Sequence, residues 1–127
     1  MKSFIFYFFF VIASILVISC GNEGSYYEQI SENETVTNRI LDLNTTINEI
    51  RQKEKGKIVK EGFDFIEYEY PIGNNDSYVV SYSFDDKGCW EIGVDCYFAK
   101  KEDALNVLEG FKTEITSSKF GTPSNDN

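Results

Sequence analysis

Ile66-Glu67-Tyr68-Glu69-Tyr70 and, a few residues later, Tyr78-Val79-Val80-Ser81-Tyr82-Ser83-Phe84 decide how this chain folds. In both runs every second residue is large and apolar, and most residues between them are acidic or small. Successive side chains of a strand point to opposite faces, so an alternation of period two builds strands with one buried and one wet face. Ile66, Tyr68, Tyr70, Tyr78, Val80, Tyr82 and Phe84 form the inward set. Glu67, Glu69, Ser81 and Ser83 form the outward one. Gly73-Asn74-Asn75-Asp76 joins the two runs and Asp85-Asp86-Lys87-Gly88 follows the second, both built from residues that tolerate turn geometry.

A third strand then turns Trp90, Ile92, Val94, Cys96 and Phe98 inward and Glu91, Gly93, Asp95 and Tyr97 outward. The start of the first strand is ambiguous. Apolar residues begin near Ile58, but Phe63 and Phe65 have the opposite parity from Ile66, a conflict that a bulge near Phe65-Ile66 reconciles.

Outward from the strands the period changes. Between residues 35 and 53, Val36, Ile40, Leu43, Ile47 and Ile50 recur at steps of four and three, the stripe of one amphipathic helix. Asn33 or Thr35 can cap its start, while Arg51, Lys53 and Lys55 gather where the helix dipole favours cations, before Gly56. A second helix follows Lys100-Lys101-Glu102-Asp103, with Ala104, Leu105, Leu108, Phe111 and Ile115 on its buried side and Gly121 beyond its end. The predicted order is helix, three-stranded antiparallel meander, helix. That is an α+β domain over residues 35–121, a two-layer sandwich with one sheet face exposed. Residues 20–34 read as a flexible acidic tether with an r.m.s. reach of about 20 Å, on which Tyr26, Tyr27 and Ile30 are available to dock. Residues 122–127 read as a disordered tail.

The beginning of the chain has a different logic. Lys2 supplies a positive charge, and the apolar run from Phe4 to Ile18 would rise about 22 Å as a helix, short of the roughly 30 Å of a bilayer core. This is the layout of a processed signal peptide, residues 1–19. Val17-Ile18-Ser19-Cys20 resembles the bacterial lipobox, in which an aliphatic, a variable and a small residue precede the cysteine. The resemblance implies cleavage before Cys20, diacylglycerol on its sulfur, acylation of the new amino terminus, and a lipoprotein of the cell envelope. Gly21 and Asn22 follow, so the aspartate that holds enterobacterial lipoproteins in the inner membrane is absent, which by the family's rule implies the outer membrane. An ordinary secretory signal is the competing reading.

Removing residues 1–19 takes away one of 12 basic residues and none of 21 acidic ones, moving the formal charge from −9 to −10. Such a charge repels phosphate backbones and argues against nucleic acid. There is no histidine, which removes imidazole triads and histidine metal sites. No glycine-rich nucleotide loop or C-x-x-C pair occurs, so no nucleotide, cofactor or metal is called for. Cys89 and Cys96 would be about 23 Å apart on a continuous strand, on opposite faces, beyond disulfide reach. A hairpin at Ile92-Gly93 would bring them together only by breaking the alternation. Asp85 and Asp86 fit turn geometry better than a cation site. Arg51, Lys53, Lys55, Lys57 and Lys60 form a basic cluster whose plainest role is a solvated helix end, membrane contact being the alternative.

The expected function is therefore a non-enzymatic protein-binding module, tethered by lipid. Its contact face would carry Glu67, Glu69, Ser81, Ser83, Glu91 and Asp95 and would suit a basic partner. An immunity protein or inhibitor against a cationic toxin or enzyme fits that description. A glycan hydrolase using two of the carboxylates is the enzymatic alternative.

Overall fold

The computed structural model describes residues 24–121. The signal segment, the lipobox residues Val17, Ile18, Ser19 and Cys20, and the tail 122–127 lie outside the described residues.

The period-two segments form one antiparallel sheet with strands in sequence order: β1 (Lys57–Glu61), β2 (Phe65–Ile72), β3 (Asp76–Asp85) and β4 (Gly88–Tyr97). It has four strands rather than the expected three. Lys57–Glu61 is a strand of its own, paired with β2, because Gly62-Phe63-Asp64 is a turn closed by the Gly62 N–H donating to the Phe65 carbonyl at 2.9 Å. That turn, not a bulge at Phe65-Ile66, accounts for the parity conflict. Phe63 at its tip is 94% exposed.

The helices also differ from expectation. Tyr26–Asn33 is a helix, α1, within the segment expected to be a flexible tether. Ser25 and Glu28 start it with a reciprocal capping box, each side chain satisfying the other's backbone N–H. Tyr26 packs edge-on against Phe98, Tyr27 edge-on against Phe111, and Ile30 is buried. The single helix expected over residues 35–53 is two, α2 (Val36–Ile40) and α3 (Ile47–Lys53). Asn44, at φ 69°, breaks it, and a second capping box, Thr46 with Glu49, starts the chain again. Leu43, placed on the expected stripe, is exposed as a result, as is its neighbour Leu41. In α4 (Lys101–Thr116) the buried residue is Val107, flanked by half-buried Phe111, while Leu105 and Leu108 face outward.

Ile30, Ile50 and Val107 from the helices meet Ile66, Tyr68, Tyr70, Ile72, Tyr78, Val80, Tyr82, Phe84 and Cys89 in one core, so the helices cover one face of the sheet. The β3–β4 register slips between Ser83 and Phe84: Ser83 faces Glu91 and Phe84 faces Cys89, leaving Trp90 as the extra residue of a bulge. The expected inward set is corrected accordingly. Cys89 is buried at 1% exposure and Trp90 is turned out at 58%. Past the bulge Ile92, Val94 and Cys96 resume the inward parity. Cys89 and Cys96 thus share the helix-facing side, and both are free thiols. Backbone bonds from the α2–α3 loop, Asn44 to the Cys89 carbonyl at 2.7 Å and Cys89 to the Thr45 carbonyl at 2.8 Å, cover the edge of β4 there. The loop lies so close that a Cβ at Gly88, which has φ +117°, would come within 2.7 Å of Asn44 backbone atoms.

Inside this layer is a buried ion pair. The Arg39 guanidinium of α2 binds Glu54, just past α3, and both side chains are nearly inaccessible. The Tyr70 and Tyr82 hydroxyls donate to Glu54, Arg39 Nη1 donates to the Tyr82 oxygen at 2.8 Å, and Tyr70 stacks on Tyr78 at 5.0 Å. Burial by itself raises the Glu54 pKa, but the Arg39 charge and the two hydroxyls outweigh it and hold the carboxyl below the ordinary carboxylate value. Burial also pushes the Tyr82 hydroxyl up, reinforced by the Glu54 carboxylate that accepts its proton.

Replacing Glu54 with alanine strands a buried guanidinium, and denaturant unfolding is expected to show a loss of about 3–5 kcal/mol, against about 1 kcal/mol for Tyr82→Phe. Because the folded-state carboxyl is depressed, its contribution is complete above the ordinary carboxylate range and fades as pH falls through the folded value. Glu54→Gln should therefore flatten the acid limb of the stability profile. A Glu54→Ala chain as stable as the parent would refute the role given to this pair.

Candidate functional site

Among the described residues the helices cover only one face of the sheet, and the strand register dictates what the other displays. Residues directly opposite on antiparallel strands share a face. Four rows cross this one: Phe65, Ser83 and Glu91; Lys60, Glu67, Ser81 and Gly93; Lys57, Glu69, Val79 and Asp95; Pro71, Ser77 and Tyr97. Glu67, Glu69, Ser81, Ser83, Glu91 and Asp95 are thus all on the outer face. Glu91 and Asp95 are exposed, while the other four are half-buried by their neighbours.

The middle of the face is low because its residues are small. A Cβ on Gly93 would stand 2.6 Å from the Ser81 oxygen, so the two backbones present almost no side-chain height there. Between this floor and the turn-end rim runs a groove of about 380 Å³, whose walls include Phe65, Glu67, Trp90 and Glu91. Lys60 Nζ lies over the Phe65 ring at 5.6 Å, so that aromatic face already carries a cation of the chain's own. Trp90 enters the groove only because the bulge adds a residue and inverts the parity at the start of β4. No carboxylate here is enclosed from water, and general-acid chemistry needs a desolvated one. The arrangement is suited to attracting charge.

Other candidate features resolve differently. The basic cluster is dispersed: Arg51 pairs with Glu61 at 2.7 Å, Lys53 with Glu34 at 2.6 Å, and Lys57 and Lys60 stand opposite Glu69 and Glu67. Asp85 accepts the Lys87 N–H at 2.8 Å, which closes the β3–β4 turn. A larger open hollow of about 600 Å³ follows the seam between α1 and α4. Its most enclosed acid, Glu114, is already taken by the Val36 N–H and the Thr37 hydroxyl at 3.2 Å each. Among the described residues no group of three or more acids and cysteines is placed to hold a metal ion, and no helix is long and apolar enough to cross a membrane.

No family model, curated protein or solved structure matches this chain. The site is read from its geometry.

Sequence alternation finds the acids and serines but misses Phe65, Trp90, Lys57 and Lys60. Phe65 was entangled in the misread turn, and Trp90 had the parity of a core residue. The lysines belong to the strand that alternation did not resolve. Because Trp90 and Phe63 are mostly in water, Trp90→Ala and Phe63→Ala are each expected to change unfolding free energy by less than about 1 kcal/mol, far below the roughly 3–5 kcal/mol of truncating a buried aromatic. Thermal or denaturant unfolding measures this. A core-sized loss at Trp90 would mean that its indole serves the fold.

Proposed function

We propose that this chain is a lipid-anchored envelope protein, held through Cys20, whose uncovered sheet face binds another protein. On this reading the domain is a two-layer sandwich, and its outer layer is a rigid platform rather than a reaction vessel. The observation that carries the proposal is Trp90, 58% exposed on a bulge next to Glu91, in a groove that Glu67 also lines. Tryptophan is among the residues most often dominant in protein interfaces. The acids supply the complementary half: with the chain beyond residue 19 at −10, a basic partner is drawn in over distance and oriented on arrival. A cationic toxin or enzyme, neutralised by this face, is the partner class that suits it.

Two measurements test the two halves separately. Reversing Glu67, Glu69 and Glu91 to lysine is expected to weaken a cationic partner, recovered by cross-linking on intact cells, at least tenfold, or about 1.4 kcal/mol. Circular dichroism should confirm the fold of that variant, and undiminished binding removes the face. Separately, Cys20→Ala is expected to abolish incorporation of a labelled fatty acid while leaving the domain folded. Lipid on the alanine chain would sink the anchor.

A further inference from the structure

The groove at the turn end of the outer face has chemistry more specific than general acidity. One wall is Phe65, whose ring is already covered by Lys60. The other is Trp90, which bears no cation of its own among the described residues, with Glu91 next to it and Glu67 across the low floor of Ser81 and Ser83. An indole open to water, in a groove lined by carboxylates, attracts a cation to its face. A planar guanidinium suits it better than an ammonium, because it stacks flat on the ring and forks toward carboxylate oxygens at its edge. Phosphate and anionic lipid headgroups are disfavoured by the same acids.

We propose that this groove receives an arginine side chain of a basic protein partner, its guanidinium stacked on Trp90 and flanked by Glu67 and Glu91. The proposal rests on the protein-binding reading above and adds the chemistry of the contact. The groove's place in the fold agrees with it. Phe65 and Trp90 are at the end of the sheet where the β1–β2 and β3–β4 turns lie. Tyr26, at the start of α1, is at the other end, hydrogen-bonded to Asp76 at 2.7 Å. The length of β2, about 23 Å, separates the two ends. A domain held from its amino-terminal side therefore points the groove away from the anchor, toward a soluble partner.

Trp90 is the only tryptophan in the chain, so its fluorescence reports occupancy directly. The full-length protein in neutral detergent is titrated with a hexapeptide of alternating arginine and serine, its lysine counterpart and its glutamate counterpart. The arginine peptide is expected to change Trp90 emission saturably and to bind at least threefold more tightly than the lysine peptide. Glu91→Gln should weaken it about fivefold, and calorimetry on Trp90→Leu should show the arginine preference gone. An emission unmoved by the arginine peptide, or moved equally by the glutamate peptide, overturns the assignment. So does equal affinity for the arginine and lysine peptides. Capture of a native partner that survives Trp90→Leu but fails on the triple charge reversal overturns the groove while leaving the wider face standing.

Discussion

The arrangement of helices on the sheet depends on one buried ion pair. Arg39 and Glu54 come from opposite sides of the α2–α3 break and meet over the tyrosines of β2 and β3. Around them Glu34 and Asp42 both hold Lys53, and Asn33 donates to the Tyr78 hydroxyl at 2.8 Å. The end of α1, all of α2, the end of α3 and two strands are thereby tied at one place. A domain this small has a modest apolar core, and four of its buried positions are tyrosines whose hydroxyls must be accommodated. A charged pair among them satisfies two of those groups, the Tyr70 and Tyr82 hydroxyls, and restricts the helices to the positions that close the network. The fit is incomplete, since Arg39 Nη2 and the Tyr68 hydroxyl have no partner among the described residues. The desolvation of such a pair offsets much of its attraction, so its presence alone is weak evidence of net stability.

The outer face inherits its rigidity from that inner layer. Every outward residue of β3 is flanked by buried ones, Tyr78, Val80, Tyr82 and Phe84, so the strand cannot slip by one residue without moving four core side chains into water. The acids and serines opposite are held in fixed rows. A binding face on such a sheet needs little reordering when a partner arrives.

The legibility of these features in the sequence follows the range of the forces involved. Alternation in β2 and β3 is a local signal read from neighbours two apart, and it located both strands and the acidic face. The helical breaks were also written locally, as Ser25-x-x-Glu28 and Thr46-x-x-Glu49, each a capping box that marks a helix start. The second was masked by a continuous apolar stripe, Ile40, Leu43, Ile47, of the kind a single helix would carry. The bulge at Trp90 was not legible in this way. It exists because Phe84 pairs with Cys89 while the α2–α3 loop docks on the same cysteine, and only the assembled fold brings those segments together. Arg39 and Glu54 are likewise 15 positions apart, and each alone has the look of an ordinary surface charge.

The docking of α1 changes what an anchor at Cys20 would mean. A loose tether through residue 34 would let the domain turn freely some 20 Å from the bilayer. With the capping box at Ser25 fixed to the domain through α1, the five peptide units from Cys20 to Ser25 reach at most about 18 Å, and less in any bent conformation. On the lipid-anchored reading, the end bearing Tyr26, the Gly73–Asp76 turn and the start of α4 is then kept next to the membrane. Asp76 accepts from both the Tyr26 hydroxyl and the Ala99 N–H, which binds the incoming chain to the sheet at that end. The aromatic groove is left at the opposite end. Orientation would then follow from a single capped helix start, Ser25 with Glu28, rather than from any contact between the domain and lipid.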